Sequence, residues 1–254
     1  MMEPLLKIEG LSKRYPGFCL DGVSFSLAPG RIMGLIGKNG AGKSTTLKAM
    51  LNMVSPQSGR VTMFGRDFYR HEEACRQRVG VVFGGIDFYP LKRLSTITAV
   101  TRRFFAGWDE ERHRSYLRRF SLDESRKCKE LSNGMKVKYL LALALSHHAE
   151  LLILDEPTSG LDPVSRQELT HIFRHIVKAE GCSILFSTHI TSDLDRCADD
   201  ITYIHNGRVL QSADRETFLR SFDHLKTPDE TGPLPLEEIM LRTERSEWDD
   251  DAAL

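Results

Sequence analysis

Over residues 4–28 apolar and polar positions alternate in two stretches around KRYPGF, and GVSFSL has the period of two of a half-buried strand. Pro-Gly punctuates the turn between them. RIMGLIG (31–37) is a compact apolar run ending in glycine, as in a strand buried on both faces, and residues 43–53 follow as a helix. SGRVTMFG and RVGVVF read as further strands. Across 95–145 the pattern becomes helical, rich in arginine and without a convincing strand; WDEERHRSYLRRF places Asp109–Glu111 early and Arg118–Arg119 late, as the helix dipole favours. LLILDEP (151–157) and SILFSTH (183–189) return to the buried-strand pattern. Between them PVSRQELTHIFRHIVKAEG predicts a helix started by Pro163 and stopped by Gly181. Strands alternating with helices predict an α/β fold, a mainly parallel sheet in three layers, interrupted by an all-helical insertion.

Composition narrows the class. In 254 residues, 35 basic side chains balance 35 acidic ones, so no general electrostatic grip on nucleic acid or membrane surface is expected. Cys19, Cys75, Cys128, Cys182 and Cys197 are scattered without a CxxC pair, which reads as free thiols in a reducing compartment. The longest clean apolar run, Tyr139–Leu145, is far short of the ~20 residues of a spanning helix, and MMEPLLKIEG lacks a signal-peptide pattern. Any membrane-spanning part is therefore expected from another chain. Residues 226–254 hold nine acidic and three basic side chains, net −6, interrupted by proline and glycine. They read as a mostly solvated acidic extension, with LPLEEIMLR as a short docking helix.

Two stretches carry chemistry. GKNGAGKS (37–44) fits G-x-x-x-x-G-K-[ST] between a buried strand and a helix, the context that motif requires. Its backbone N–H groups curl around phosphate oxygens, the helix N-terminus adds partial positive charge, Lys43 reaches the β- and γ-phosphates, and Ser44 offers a hydroxyl to Mg²⁺. The phosphate-binding set is Gly37, Asn39, Gly40, Ala41, Gly42, Lys43, Ser44 and Thr45. LLILDEP delivers Asp155 to the same end of the sheet, where it can hold Mg²⁺, and Glu156, which can polarise an attacking water. The plain alternative for this pair of acids is a turn capping a helix. A third stretch, LSNGMKVKYLLALAL (131–145), puts Lys136 and Lys138 at a helix start, where cations are disfavoured unless an anion is held there or the amines project into water.

Together these motifs resemble the ATP-binding cassette (ABC) ATPase family. LSNGM (131–135) stands where the family has its L-S-G-G-Q signature, SGLD (159–162) where it has its D-loop, and STH (187–189) where it has its switch histidine, in order over residues 4–211. The resemblance implies a P-loop NTPase core with an antiparallel β subdomain and an inserted α-helical subdomain at roughly 86–146, all within an ATPase domain of residues 1–225 followed by the extension 226–254. It implies ATP and Mg²⁺ as ligands, with Ser44 and Asp155 on the metal and Lys43, Glu156 and His189 as catalytic residues. Two nucleotide domains pair head to tail in this family. Ser132, Asn133 and Gly134 would thus meet the γ-phosphate bound to a second chain, in a homodimer or a heterodimer, and Asp162 would join them. Tyr15 lies where the family stacks an aromatic ring on adenine, with Phe18 as the competing ring.

Three departures accompany the likeness. Gly84 replaces a usual glutamine, and Asp87 is the expected substitute donor of an oxygen; Asn133 and Met135 replace a glycine and a glutamine of the signature. Such signatures resemble those of a branch of bacterial exporters whose permease is a separate chain. The resemblance implies an ATPase subunit at the cytoplasmic face of a bacterial membrane, driving an ABC-2-like integral permease, with no nucleic-acid partner. Phe88, Tyr89 and Leu91 either meet that permease or anchor their own loop. A nonhydrolytic ATP-gated regulatory subunit and a soluble ABC ATPase are the competing readings.

Overall fold

The computed structural model of the chain describes residues 3–83 and 89–251, with side chains as far as residue 245. β1 (Leu6–Tyr15) and β2 (Phe18–Leu27) form an antiparallel hairpin in the register Leu6↔Leu27 and Ile8↔Phe25. After β3 (Ile32–Ile36) and α1 (Lys43–Met50), β4 (Ser58–Met63) and β5 (Arg66–Asp67) extend that hairpin to a four-stranded sheet ordered β2-β1-β4-β5. A short α2 (Glu72–Arg76) leads to β6 (Val79–Phe83). The helical insertion contains α3 (Leu94–Thr101), α4 (Glu110–Arg119) and α5 (Asn133–Leu145). The core resumes with β7 (Leu151–Asp155), α6 (Pro163–Glu180), β8 (Ser183–Thr188), α7 (Thr191–Cys197), β9 (Asp200–His205), β10 (Arg208–Asp214), α8 (Arg215–Ser221) and α9 (Leu236–Asp251).

The main sheet runs β10-β9-β3-β8-β7-β6; every pairing is parallel except β10 on β9. Its strands are apolar at successive positions because both faces are covered. Met33, Leu35, Leu151 and Ile153 pack toward α1 and the small sheet, while Ile32, Ile36, Leu152 and Leu154 pack toward α5, α6 and the insertion. Asp109 caps α4 through the Arg112 N–H at 2.8 Å, and α6 has Pro163 in its first turn and Gly181 in the left-handed region at its end, as the sequence predicts.

The acidic extension docks through the LPLEEIMLR stretch as its pattern predicts, but as a longer helix than expected, which corrects the reading of a mostly solvated tail. Leu234, Leu236 and Ile239 are buried in the same core cluster as Phe173 and Tyr203, and α9 packs on α7. The acid count describes the outer face of this helix; the spacing of Leu236, Ile239 and Met240 describes the inner one. Several of its charges are also internally paired, Arg242 with both Glu230 and Glu238. The β9–β10 hairpin, around Asn206-Gly207, is an addition to the elements read from sequence.

Candidate active site

GKNGAGKS links β3 to α1 as a tight loop. Ala41 N–H donates to the Lys38 carbonyl at 3.1 Å, and Thr46 N–H to the Gly42 carbonyl at 2.8 Å. Gly42 takes φ +113°, a conformation L side chains rarely adopt, immediately before the first helical residue, Lys43. Lys43 is 5 % exposed, and its ammonium donates to the carbonyls of Gly37 at 2.7 Å and Lys38 at 3.2 Å. The charge is thus held at the loop's centre, where a phosphate would meet it together with the amides.

Two strand ends converge on this loop, those of β7 and β8. β7 ends at Asp155, 8 % exposed, whose Oδ1 accepts from Ser44 Oγ at 3.0 Å and from Ser187 Oγ at 2.6 Å. Glu156 follows at φ +49°, strained for a non-glycine residue, and the bend aims its carboxylate across the loop. Its N–H donates to Ser187 Oγ at 2.9 Å. Its Oε1 lies 3.2 Å from Lys43 Nζ, and its Oε2 lies 2.8 Å from Nδ1 of His189, just beyond the end of β8. A continuous chain Lys43–Glu156–His189 therefore runs along the wall of an open cavity of about 640 Å³, beside Asn39, Ser44 and Phe18. Behind His189, on α7, Asp193 is fully buried near the buried Thr158, and burial pushes its carboxyl up.

Other candidates sit elsewhere. The ring on the cavity wall is Phe18; Tyr15, 38 % exposed, lies outside the lining with Lys13 Nζ 5.5 Å from its ring centre. Ser132, Asn133 and Gly134 are likewise not on this cavity. Ser132 caps α5 by accepting from the Met135 N–H at 3.2 Å, Asn133 lies against Gly160, and Gly134 lies against Leu161 and Ser165. Asp162 caps α6, accepting from the N–H groups of Val164 and Ser165 at 3.0 Å each, and the Ser165 hydroxyl keeps its carboxyl below the ordinary range. Lys138 neither projects into water nor waits for an anion: it pairs with Glu168 of α6 at 2.7 Å, because α5 packs on α6 there. Gly84, Asp87 and Phe88 lie outside the described residues; Tyr89 and Leu91 are well exposed. Ser187 has a role that the sequence reading missed. The Ser in STH, two places before the histidine, is the signal that could have found it.

The family model for ABC transporters matches residues 20–159, more than half of the chain. The chain belongs to the ABC transporter family. It is 30 % identical over 228 residues to the bacitracin transport ATP-binding protein BcrA of Bacillus licheniformis, covering 89 % of this chain and 72 % of that one. It is 33 % identical over 259 residues to the Nod factor export ATP-binding protein I of Paraburkholderia xenovorans, covering 97 % and 84 %. A solved ATP-binding subunit of an ABC transporter superposes with a TM-score of 0.81 at 29 % identity, over 94 % of this chain and 99 % of that one. The P-loop core, the antiparallel β subdomain and the helical insertion are therefore those of an ABC ATPase subunit, which binds ATP and hydrolyses it in transport.

Proposed function

We propose that this subunit powers export through a separate integral permease, by closing on a second nucleotide domain around ATP. The observation that carries the reading is the contact chain Lys43–Glu156–His189 on one cavity wall. The P-loop amides and the Lys43 ammonium hold the β- and γ-phosphates. Glu156, strained toward the cavity, orients water for in-line attack and takes its proton. His189 spends Nδ1 on Glu156, which fixes the ring and leaves Nε2 for a γ-phosphate oxygen.

Ser44 Oγ and Asp155 Oδ1, 3.0 Å apart, are hard oxygen donors of the kind Mg²⁺ takes. Two donors are about a third of an octahedral Mg²⁺ shell, suited to an ion completed by phosphate oxygens and water. Mg²⁺ bound there would neutralise charge developing on the phosphates.

Ser132 and the amides of Asn133 and Gly134 would meet the phosphate held by the partner domain, with Asp162 shaping the same face. Loss of the γ-phosphate would remove the contact that keeps the two domains together. Phe18 supports an adenine platform better than Tyr15, since it lies on the cavity wall. The permease, of ABC-2-like type, would seat a cytoplasmic helix in the groove of about 650 Å³ lined by Leu51, Glu72, Arg76, Val81, Phe104 and Phe105. No described helix is long and apolar enough to cross a membrane; a place at the cytoplasmic face follows from the proposed coupling to a permease. Export as the direction rests on the Nod factor export relative.

Steady-state hydrolysis by the purified chain tests this. Glu156→Gln should keep ATP binding and lower turnover about 10²–10⁴-fold, the contribution of a general base. Ser132→Arg should abolish ATP-driven pairing in light scattering. A Glu156→Gln protein turning over like wild type, or a Ser132→Arg monomer with full activity, would refute the reading.

A further inference from the structure

The C-terminal helix reaches the P-loop. α9 is seated by buried Leu236 and Ile239 and by Arg242, which pairs with Glu230 and Glu238 and donates to the Leu225 carbonyl at 2.8 Å. That seating fixes the turn carrying Glu244, whose side chain is 15 % exposed. Glu244 Oε2 accepts from Lys38 Nζ at 2.6 Å, and Oε1 lies 2.9 Å from His205 Nδ1. Lys38 is the second residue of GKNGAGKS, and its carbonyl accepts from both Ala41 N–H and Lys43 Nζ. His205 ends β9, two residues before Gly207, whose N–H donates to the Ala41 carbonyl at 2.9 Å. Three segments remote in sequence thus meet on the flank of the phosphate loop. Nothing in the hydrolytic chemistry described above uses this carboxylate.

A carboxylate fixed here opposes a triphosphate in two ways. It places negative charge beside the seat of a polyanion, and it occupies an ammonium that the polyanion would otherwise attract. Asn39 and Gly40 line the cavity, whereas Lys38, its ammonium on Glu244, does not. We propose that Glu244 is a positioning residue of the nucleotide site, which holds Lys38 away from the phosphates so that ATP and α9 compete for one ammonium. The proposal rests on GKNGAGKS being the triphosphate cradle. By linkage, whatever holds α9 down weakens ATP binding, and ATP loosens α9 by the same factor.

The test is Glu244→Gln in the full chain, which keeps the side chain's shape and an acceptor for Lys38 but removes its charge. The Kd and KM for ATP should fall threefold to tenfold, with kcat within twofold of wild type, and the gain should shrink as salt is raised. Glu216→Gln, the same charge change at an exposed site on α8, should leave all three unchanged. A KM and Kd that stay constant or rise in Glu244→Gln overturn the proposal, because a merely structural loosening of the loop would raise them. Hydrogen exchange of the wild-type chain gives a reading independent of any variant. A non-hydrolysable ATP analogue should speed exchange across residues 240–245, and unchanged or slower exchange there also overturns it. A wild type that fails to bind ATP at all would refute the cradle itself, a result distinguishable from either of these.

Discussion

Gly207 gives the sharpest test of how the P-loop is supported. It sits in the β9–β10 turn at φ +78°, and a Cβ added there would lie 1.9 Å from the Cys19 carbonyl oxygen. The obstacle is β2 backbone, so no rotamer change relieves it. The same residue donates its N–H to Ala41 O in the P-loop and accepts at its carbonyl from Asp21 N–H, so any shift loosens both bonds. The left-handed conformation alone costs an alanine about 1–2 kcal/mol. Forcing the two strands apart adds about 1–3 kcal/mol, the usual range for overpacking. Gly207→Ala should thus lose about 2–5 kcal/mol, which for a chain of this size is a fall of roughly 4–20 °C in Tm at about 2–4 °C per kcal/mol. Gly181→Ala is the control: its φ is +66° with nothing within 4 Å of the added carbon, so only the first cost applies. Thermal and urea unfolding of the two variants isolate the clash, and ATP titration should show weaker binding in Gly207→Ala alone. If Gly207→Ala melts within about 2 °C of Gly181→Ala and binds ATP as wild type does, the turn does not brace the loop.

Two further expectations concern pH. Glu124 faces His113 at 3.2 Å and accepts from the Thr98 hydroxyl at 2.6 Å, and these contacts, led by His113, hold its carboxyl below its usual 4.5. Folding therefore favours its ionised form, a stabilisation complete above pH 4.5 and lost as pH falls through the lower folded value. Glu124→Gln should lower the urea midpoint near neutrality and converge on wild type in acid; a constant difference across pH would refute the ionic origin. Burial raises the Asp193 carboxyl above 3.8, opposed by the Thr158 hydroxyl, so its ionisation costs stability as pH rises past that value. Asp193→Asn should be at least as stable as wild type near neutral pH, and a variant destabilised there but not in acid would contradict the sign.

Local pattern carried much of this molecule. RIMGLIG, LLILDEP and SILFSTH are continuous apolar runs because their strands are covered on both faces, and the residues just after them make the site. Asp155, Glu156 and His189 are legible because each lies at or just beyond a strand end whose position follows from short-range periodicity, and Lys43 because its motif opens the helix after β3. What stayed hidden depends on long-range meeting. Lys38 and Glu244 are 206 residues apart in the chain, and no local pattern announces their bond. Lys138 looks anomalous on α5 alone, and only the approach of α6 with Glu168 explains it. In 226–254 the apolar spacing of LPLEEIMLR disclosed the docked face of α9, whereas net charge did not disclose the helix's length, since it averages over faces that a helix separates. Asn206-Gly207 between YIH and RVL was a legible hairpin signal, but its support of the P-loop was not, because Cys19 and Ala41 come from distant segments.

The position of β3 has a consequence for how the protein is made. This strand carries the P-loop yet lies between β8 and β9, so its neighbours leave the ribosome some 150 residues later. During synthesis the β1–β2 hairpin can close early, but the strand that feeds the phosphate loop must wait unpaired at its centre. Contacts of such long range are slow to form and leave apolar edges open to wrong partners meanwhile. Nascent chains should accordingly gain ATP affinity late and abruptly, when β9 emerges, and depend on chaperones until then.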